Sequence, residues 1–310
     1  MTYNVRYFGH ATRGLSSTRR GIEGIARALA ALAPLPELVC LQEVETGSLR
    51  SLRTTGHWGN GGRTQLDALV TRLDALLETR GEPHRYEAFY FPAHTYRLVE
   101  GANVYTTGLA MLVRSNLRVV EHNALRPHDI THRPREIRLK QTRVCAHAAF
   151  ERGADRVDVF NTHLSLPAFW SSDFWTSPFR MGYGPNQLRE AHQVANFVSA
   201  TRQSDHVLLL GDFNALPGSP VDRFFREEEG FADAFRDVMA ANDELARGFP
   251  TAGFMHLRMH LDHVYASPSL AWVDLEGTAG FGREGPFDGL SDHVPVIARC
   301  RPRTASQSRP

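Results

Sequence analysis

HVLLLGDFN, His206 to Asn214, contains four consecutive aliphatic residues, Val207 to Leu210, with no polar alternation. A strand wetted on one face alternates with period two. This run therefore predicts a strand covered on both faces, in the middle of a sheet enclosed by other layers. It ends on Gly211, Asp212 and Asn214, and polar groups directly after so apolar a strand call for a reason.

The same arrangement recurs in both directions. ELVCLQE (37–43) ends on Gln42 and Glu43, and VDVFNTH (157–163) ends on Asn161 and His163. Leu261-Asp262-His263 opens a strand, and Ser291-Asp292-His293 precedes the apolar VPVIA. Strands are expected over 86–91, 108–113, 143–150, 157–163, 206–211, 261–266 and 294–299, with an opening strand around Val5 and Tyr7. Ile22, Ile25, Leu29 and Leu32 share a helical face, with Ser17-Thr18 as the expected cap and Pro34 as the stop. Leu66, Leu69, Val70, Leu73, Leu76 and Leu77 make a second stripe, and Leu188, Ala191, Ala195 and Val198 a third. A glycine-rich turn is expected at 58–62. Helices interspersed with strands predict a layered α/β protein with helices outside the sheets.

With 310 residues, 42% of them hydrophobic, the chain can bury a sizeable core. Length alone would allow two domains. The polar strand ends run from Asn4 to His293, however, which argues for one domain over 1–300 and a polar, disordered tail over 301–310. The 35 basic and 34 acidic side chains leave a net charge of +1, no footprint for wrapping long nucleic acid. Cys40, Cys145 and Cys300 are too scattered for metal-ligand spacing and read as reduced thiols. No signal peptide or membrane-length apolar run is evident, so the expected location is the cytoplasm. The oligomeric state is left open.

The strand-end residues make chemical sense as a set. Mg²⁺ takes hard oxygen ligands, and one or two protein carboxylates suffice because it keeps several waters. Phosphoester hydrolysis also needs a group that orients or deprotonates water, and donors for developing negative charge. Glu43, Asp212, Asn214, Asp292, His163 and His293 supply these functions, with Asn4 as a further polar ligand. His263 is expected to be structural, because neighbours on a strand point to opposite faces.

On these motifs the chain resembles the endonuclease/exonuclease/phosphatase superfamily, the DNase-I-like metal-dependent hydrolases. The matching segments, in the family's order, are TYNVR (2–6), LQEVE (41–45), TGLAMLVRS (107–115), FNTHL (160–164), LLGDFNALPGSP (209–220), LDHVYAS (261–267) and SDHVPV (291–296). The resemblance implies a four-layer α/β/β/α sandwich, two mainly antiparallel or mixed sheets flanked by helices. It implies Mg²⁺, with Mn²⁺ as a substitute, held by Glu43 as principal ligand together with Asn4 and Asp292. It further implies that Asp212 positions or deprotonates the attacking water and that Asn214 orients the water or the phosphate. His163 then donates to a non-bridging oxygen, and His293 does likewise or acts as acid/base, its tautomer held by Asp262. Repair nucleases of the family carry an acidic residue two positions after the first Asn, where this chain has Arg6. A second-metal, repair-type arrangement is therefore not expected.

Fold does not choose the substrate. The expected function is a phosphodiesterase or phosphatase acting on a small or lipid-derived phosphoester through a metal-activated water. The alternative is an endo- or exonuclease on DNA or RNA. Two segments are candidates for the choice. Phe169, Trp170, Phe174, Trp175, Phe179 and Tyr183 follow the His163 motif as an aromatic loop. Arg126, Arg133, Arg135, Arg138 and Arg143 form a basic stretch.

Overall fold

The computed structural model describes residues 1–8, 15–46, 64–99, 102–132, 142–153, 155–167, 180–254 and 256–303. Two sheets carry the architecture. The smaller has four strands in the order β1 (Thr2–Asn4), β2 (Leu38–Thr46), β4 (Ala102–Arg114), β3 (Tyr86–Val99), with β1 parallel to β2 and the rest antiparallel. The larger has seven strands. Its main path is β10 (Ala232–Asp233), β13 (Asp262–Ala266), β9 (Val207–Asp212), β8 (Asp155–His163), β7 (Val144–Arg152), β5 (Arg118–His122), and β6 (His128–Asp129) also pairs with β7.

Three packed interfaces define four layers. Helices α1 (Leu15–Ala31) and α2 (Gln65–Thr79) press Ile25, Leu29, Leu69 and Leu73 onto Tyr3, Val39, Leu41 and Leu112 of the smaller sheet. That sheet's other face meets the larger sheet through Cys40, Leu109 and Met111 against Ala146, Ala148, Val159, Leu210 and Val264. Helix α3 (Pro185–Thr201) covers the far side, its Ala191, Val194 and Val198 packing on Phe160, Leu209 and Tyr265. The molecule is thus an α/β/β/α sandwich. The run Val207–Leu210 is covered on both faces as expected: Val207 and Leu209 face α3, Leu208 and Leu210 the other sheet.

The structure corrects several sequence expectations. Helix α1 begins at Leu15, so Ser17 and Thr18 lie within it and do not cap it. Thr64 caps α2 in a reciprocal box with Asp67. Residues 294–298 do not form a strand. They make one isolated bridge, Thr2↔Val296, and a second, Ala252↔His293, joins the residue just before them. The expected tail starts too early, since Arg301 and Pro302 belong to β15 (Arg299–Pro302), paired with β14 (Leu270–Asp274). The glycine-rich turn, residues 133–141 of the basic stretch and 168–179 of the aromatic segment lie outside the described residues. Among the described residues no helix is long and apolar enough to cross a membrane.

Candidate active site

Strand register assembles the site. In the larger sheet Asp262 is the direct partner of Asp212 across the β13–β9 pair, and His163 is its partner across β8–β9. Three neighbouring strands thus end at one level with Asp262, Asp212 and His163 in a row. The smaller sheet brings Asn4 and Glu43 to the same edge. Asn4 Nδ2 donates to Asp212 Oδ2 at 3.0 Å, and its Oδ1 accepts the Arg6 backbone N–H at 3.0 Å.

Glu43 reaches the site through a break in the β2 pattern. Val39, Leu41 and Val44 all face the helices, while Gln42 points between the sheets and donates to Thr2 Oγ1 and Asn161 Oδ1 at 2.9 and 2.7 Å. Strict alternation would turn Val44 inward. A bulge between Leu41 and Val44 inserts the extra residue, and Glu43 takes it in the left-handed region, φ 54°. Such a backbone costs a non-glycine residue about 1–3 kcal/mol and is kept only where the surroundings enforce it. The Gln42–Asn161 tie between the sheets does so, since Asn161 Nδ2 also donates to the Leu41 carbonyl at 3.1 Å. The Glu43 carboxylate then lines a cleft with Tyr7, Thr107, Thr142, Arg143 and His163.

Asp212 is the hub. Its Oδ2 faces Asn4 Nδ2, His163 Nε2 at 3.5 Å and His293 Nε2 at 3.7 Å, and its Oδ1 accepts the Asn214 N–H at 2.9 Å. Burial raises its pKa to about 6, against the opposing pull of His293. Asn214, also left-handed at φ 47°, donates from Nδ2 to the Leu164 carbonyl at 2.9 Å, and Gln187 of α3 holds its own carbonyl at 2.8 Å.

The two site histidines are in opposite electrostatic states. Burial alone would lower the pKa of His293, but the carboxylates of Asp262 and Asp212 outweigh it and raise it to about 9. His293 Nδ1 donates to Asp262 Oδ2 at 2.8 Å, and the buried Thr251 hydroxyl donates to the same oxygen at 2.7 Å. Burial, reinforced by Arg143 and His293, holds His163 well below its usual value. Arg143 Nη1 lies 3.0 Å from His163 Nδ1, and His163 Nε2 is 3.9 Å from Glu43 Oε1.

Asp292 forms an ion pair with Arg6 beside Asn4, whose carbonyl accepts the Ser291 hydroxyl at 2.8 Å. The three residues expected to hold metal are therefore differently engaged. Glu43 opens on the cleft, Asn4 binds Asp212, and Asp292 binds Arg6. Among the described residues, Asp212, Asp262 and His293 offer ligand atoms within 4.8 Å of one another. His293 is a poor member of such a set. Its Nδ1 proton is given to Asp262, and a pKa near 9 keeps the ring cationic at neutral pH. Within the trio only Asp262 and His293 are hydrogen-bonded, with Asp212 facing His293 Nε2 at 3.7 Å, and the Glu43 carboxylate open on the cleft offers the hard oxygens that suit a divalent cation.

Sequence reasoning missed Arg143, Thr251 and Gln187 as site residues. Arg143 was visible only within a basic stretch, although it immediately precedes the antiparallel partner of the FNTH strand. Thr251 and Gln187 lie outside every motif and act through single hydrogen bonds. His263 turns to the opposite face from Asp262, towards Asp233 and the Ala215 carbonyl.

Comparison with known proteins agrees with this architecture. The structure is similar to an endonuclease/exonuclease/phosphatase from Beutenbergia cavernae (21% identity, TM-score 0.62, covering 97% of this chain and 70% of that one). It is also similar to the human Nocturnin catalytic domain with bound sulfate (18%, TM-score 0.57, 91% and 86%). A third likeness is to a mannosyl-6-phosphatase from Bacteroides thetaiotaomicron (16%, TM-score 0.55, 97% and 98%). No curated protein sequence matches. The model of the Endonuclease/Exonuclease/phosphatase family matches residues 1–293. The chain belongs to that family, whose members are hydrolases acting on phosphoester bonds and are generally dependent on a divalent metal.

Proposed function

We propose that this chain, as one domain over 1–300, hydrolyses a small or lipid-derived phosphoester as a Mg²⁺-dependent phosphodiesterase or phosphatase. The observation that carries the reading is the convergence on Asp212 Oδ2 of Asn4, His163 and His293, beside a Glu43 carboxylate turned into the cleft by a bulge. Mg²⁺, or Mn²⁺ in its place, bound beside Glu43 supplies Lewis-acid charge for the phosphoryl oxygen and an acidified water. Asp212 takes the proton of the attacking water, and a pKa of about 6 suits a base working near neutrality. Asn4 and the Asn214 N–H keep its two oxygens oriented. His163 donates from Nε2 to a non-bridging oxygen. Cationic His293, steadied by Asp262 and Thr251, stabilises the developing charge and can protonate the leaving oxygen. Asp292 balances Arg6 at the rim. Relatives that include a mannosyl-6-phosphatase and a protein with bound sulfate are consistent with a tetrahedral anion as ligand.

A substrate panel with Mg²⁺ tests the reading, comprising bis-p-nitrophenyl phosphate, p-nitrophenyl phosphate, sphingomyelin, inositol phosphates, plasmid and single-stranded nucleic acid. Turnover of a small or lipid ester is expected, abolished by EDTA and by Glu43→Gln. Cleavage of nucleic acid alone would move the chain to the nucleases, and full turnover after exhaustive chelation would remove the metal.

A further inference from the structure

Arg143 stands outside all the sequence motifs, yet its position is tightly specified. Its backbone N–H donates to Thr131 Oγ1 at 2.7 Å, and its carbonyl accepts the Ile130 N–H at 3.0 Å and the Thr131 hydroxyl at 3.2 Å. Next along the chain, the Val144 carbonyl accepts the Thr162 hydroxyl at 3.3 Å, tying the start of β7 to the residue before His163. From this anchored start the guanidinium reaches the imidazole, Nη1 to Nδ1, at 3.0 Å.

The chemistry of that contact is one-sided. A guanidinium has five N–H donors, no acceptor, and does not give up its proton in proteins. A nitrogen 3.0 Å from it can make a hydrogen bond only by presenting a lone pair. His163 Nδ1 is then unprotonated, and the ring's one proton is on Nε2. That nitrogen faces the reaction centre, 3.5 Å from Asp212 Oδ2 and 3.9 Å from Glu43 Oε1. We propose that Arg143 is a positioning residue whose donor-only side chain fixes His163 as a neutral imidazole with its proton on Nε2, aimed into the phosphate pocket. His293 is held by the converse device, with an acceptor-only carboxylate at Nδ1. The pocket so acquires one neutral and one cationic donor from the same residue type. The catalytic consequence rests on the proposed hydrolase reading, but the tautomer itself does not.

Two variants separate the roles. Arg143→Lys keeps a donor-only cation, whereas Arg143→Gln offers both an acceptor and a donor and so admits either tautomer. Proton–nitrogen correlation spectra of ¹⁵N-histidine-labelled protein, with His163 assigned by its loss in His163→Gln, read the state directly. An unprotonated Nδ1 is expected in the wild type and Arg143→Lys, and a mixture of tautomers in Arg143→Gln. An unchanged Nδ1 signal in Arg143→Gln overturns the proposal, and so does a protonated Nδ1 in the wild type. With bis-p-nitrophenyl phosphate, Arg143→Gln is expected to lower kcat by up to about 100-fold with little change in KM, the cost of misplacing a catalytic group by about 1 Å. Arg143→Lys recovers most of it. The Arg143→Gln effect vanishes in a His163→Ala background, as for residues acting through one another. A raised KM that persists in that background means that Arg143 binds substrate directly, and overturns the positioning role. If no panel substrate is turned over, the hydrolase reading fails while the spectra still decide the tautomer.

Discussion

Strands β8 and β9 have a buried carboxylate–histidine pair beside each end. At the site end His293 Nδ1 donates to Asp262 Oδ2 at 2.8 Å, and at the other end His147 Nε2 donates to Asp158 Oδ1 at 2.9 Å. All four residues are less than one-tenth exposed. Their surroundings differ. Asp158 spends its second oxygen on the Gln203 and Ser204 N–H groups at 3.0 and 2.9 Å, and the His147 ring stacks on Phe160 at 4.6 Å. That pair is closed, a clamp on the loop leading into β9. At the site end Asp262 Oδ1 has no hydrogen-bond partner among the described residues, and His293 Nε2 looks towards Asp212 Oδ2 at 3.7 Å. A buried His–Asp pair is therefore not in itself a mark of catalysis. What surrounds the pair, rather than the pair itself, decides its role.

The largest expected effect falls on the open pair and its hub. Asp212→Asn and His293→Ala should each lower kcat by roughly 10²–10⁴-fold, the usual worth of positioned acid–base groups. Asp212→Asn should change thermal unfolding little, whereas His293→Ala also leaves the buried Asp262 carboxylate without its partner and should lose stability, so kcat is compared per folded molecule. A variant that keeps near wild-type turnover breaks the assignment.

The closed pair should answer in stability alone. His147→Leu takes the partner from a buried carboxylate, a loss of about 3–5 kcal/mol when nothing replaces it. Urea unfolding should report most of that, while kcat per folded molecule stays at the wild-type level. If turnover collapses with stability intact, the two ends are not distinct in the way described.

The difference between the two ends also explains what could be read from the sequence. The run Val207–Leu210 announced a doubly covered strand because burial on both faces removes alternation, and the packing follows it residue by residue. Asp212, Asp262 and His163 were legible because each terminates or opens a strand, and strand register then brings them level. Glu43 was legible as a residue but not as a geometry. Nothing in LQEVE tells that a bulge turns it away from the helices. Arg6 was noted as a departure, yet its pairing with Asp292 depends on a contact between residues near opposite ends of the sequence. The His147–Asp158 pair left no signal, because its partners lie 11 residues apart on adjacent strands and their facing emerges only from register.

The smallest effect, and the one that sharpens the comparison most, lies in how stability responds to pH without metal. Burial opposes a charged His293, but Asp262 and Asp212 raise its pKa from 6.5 to about 9. The folded state then binds this proton more tightly than the unfolded chain. Its contribution is complete below pH 6.5 and is lost as pH rises through about 9. Asp212, raised by burial from 3.8 to about 6, has the same sign in a lower window, its contribution fading as pH climbs through about 6. Asp158 has the opposite sign. Burial pushes it up, but the His147 hydrogen bond and the Gln203 N–H prevail and lower it below 3.8, so its contribution is present above 3.8 and lost as pH falls through the lowered value. Thermal unfolding in EDTA should therefore show the midpoint falling between pH 6.5 and 9. His293→Gln should flatten that slope, and His147→Leu should leave it in place on a lower baseline. Parallel slopes in the wild type and His293→Gln would mean that the His293 proton is not held by the site carboxylates, and the charged-donor role would go with it.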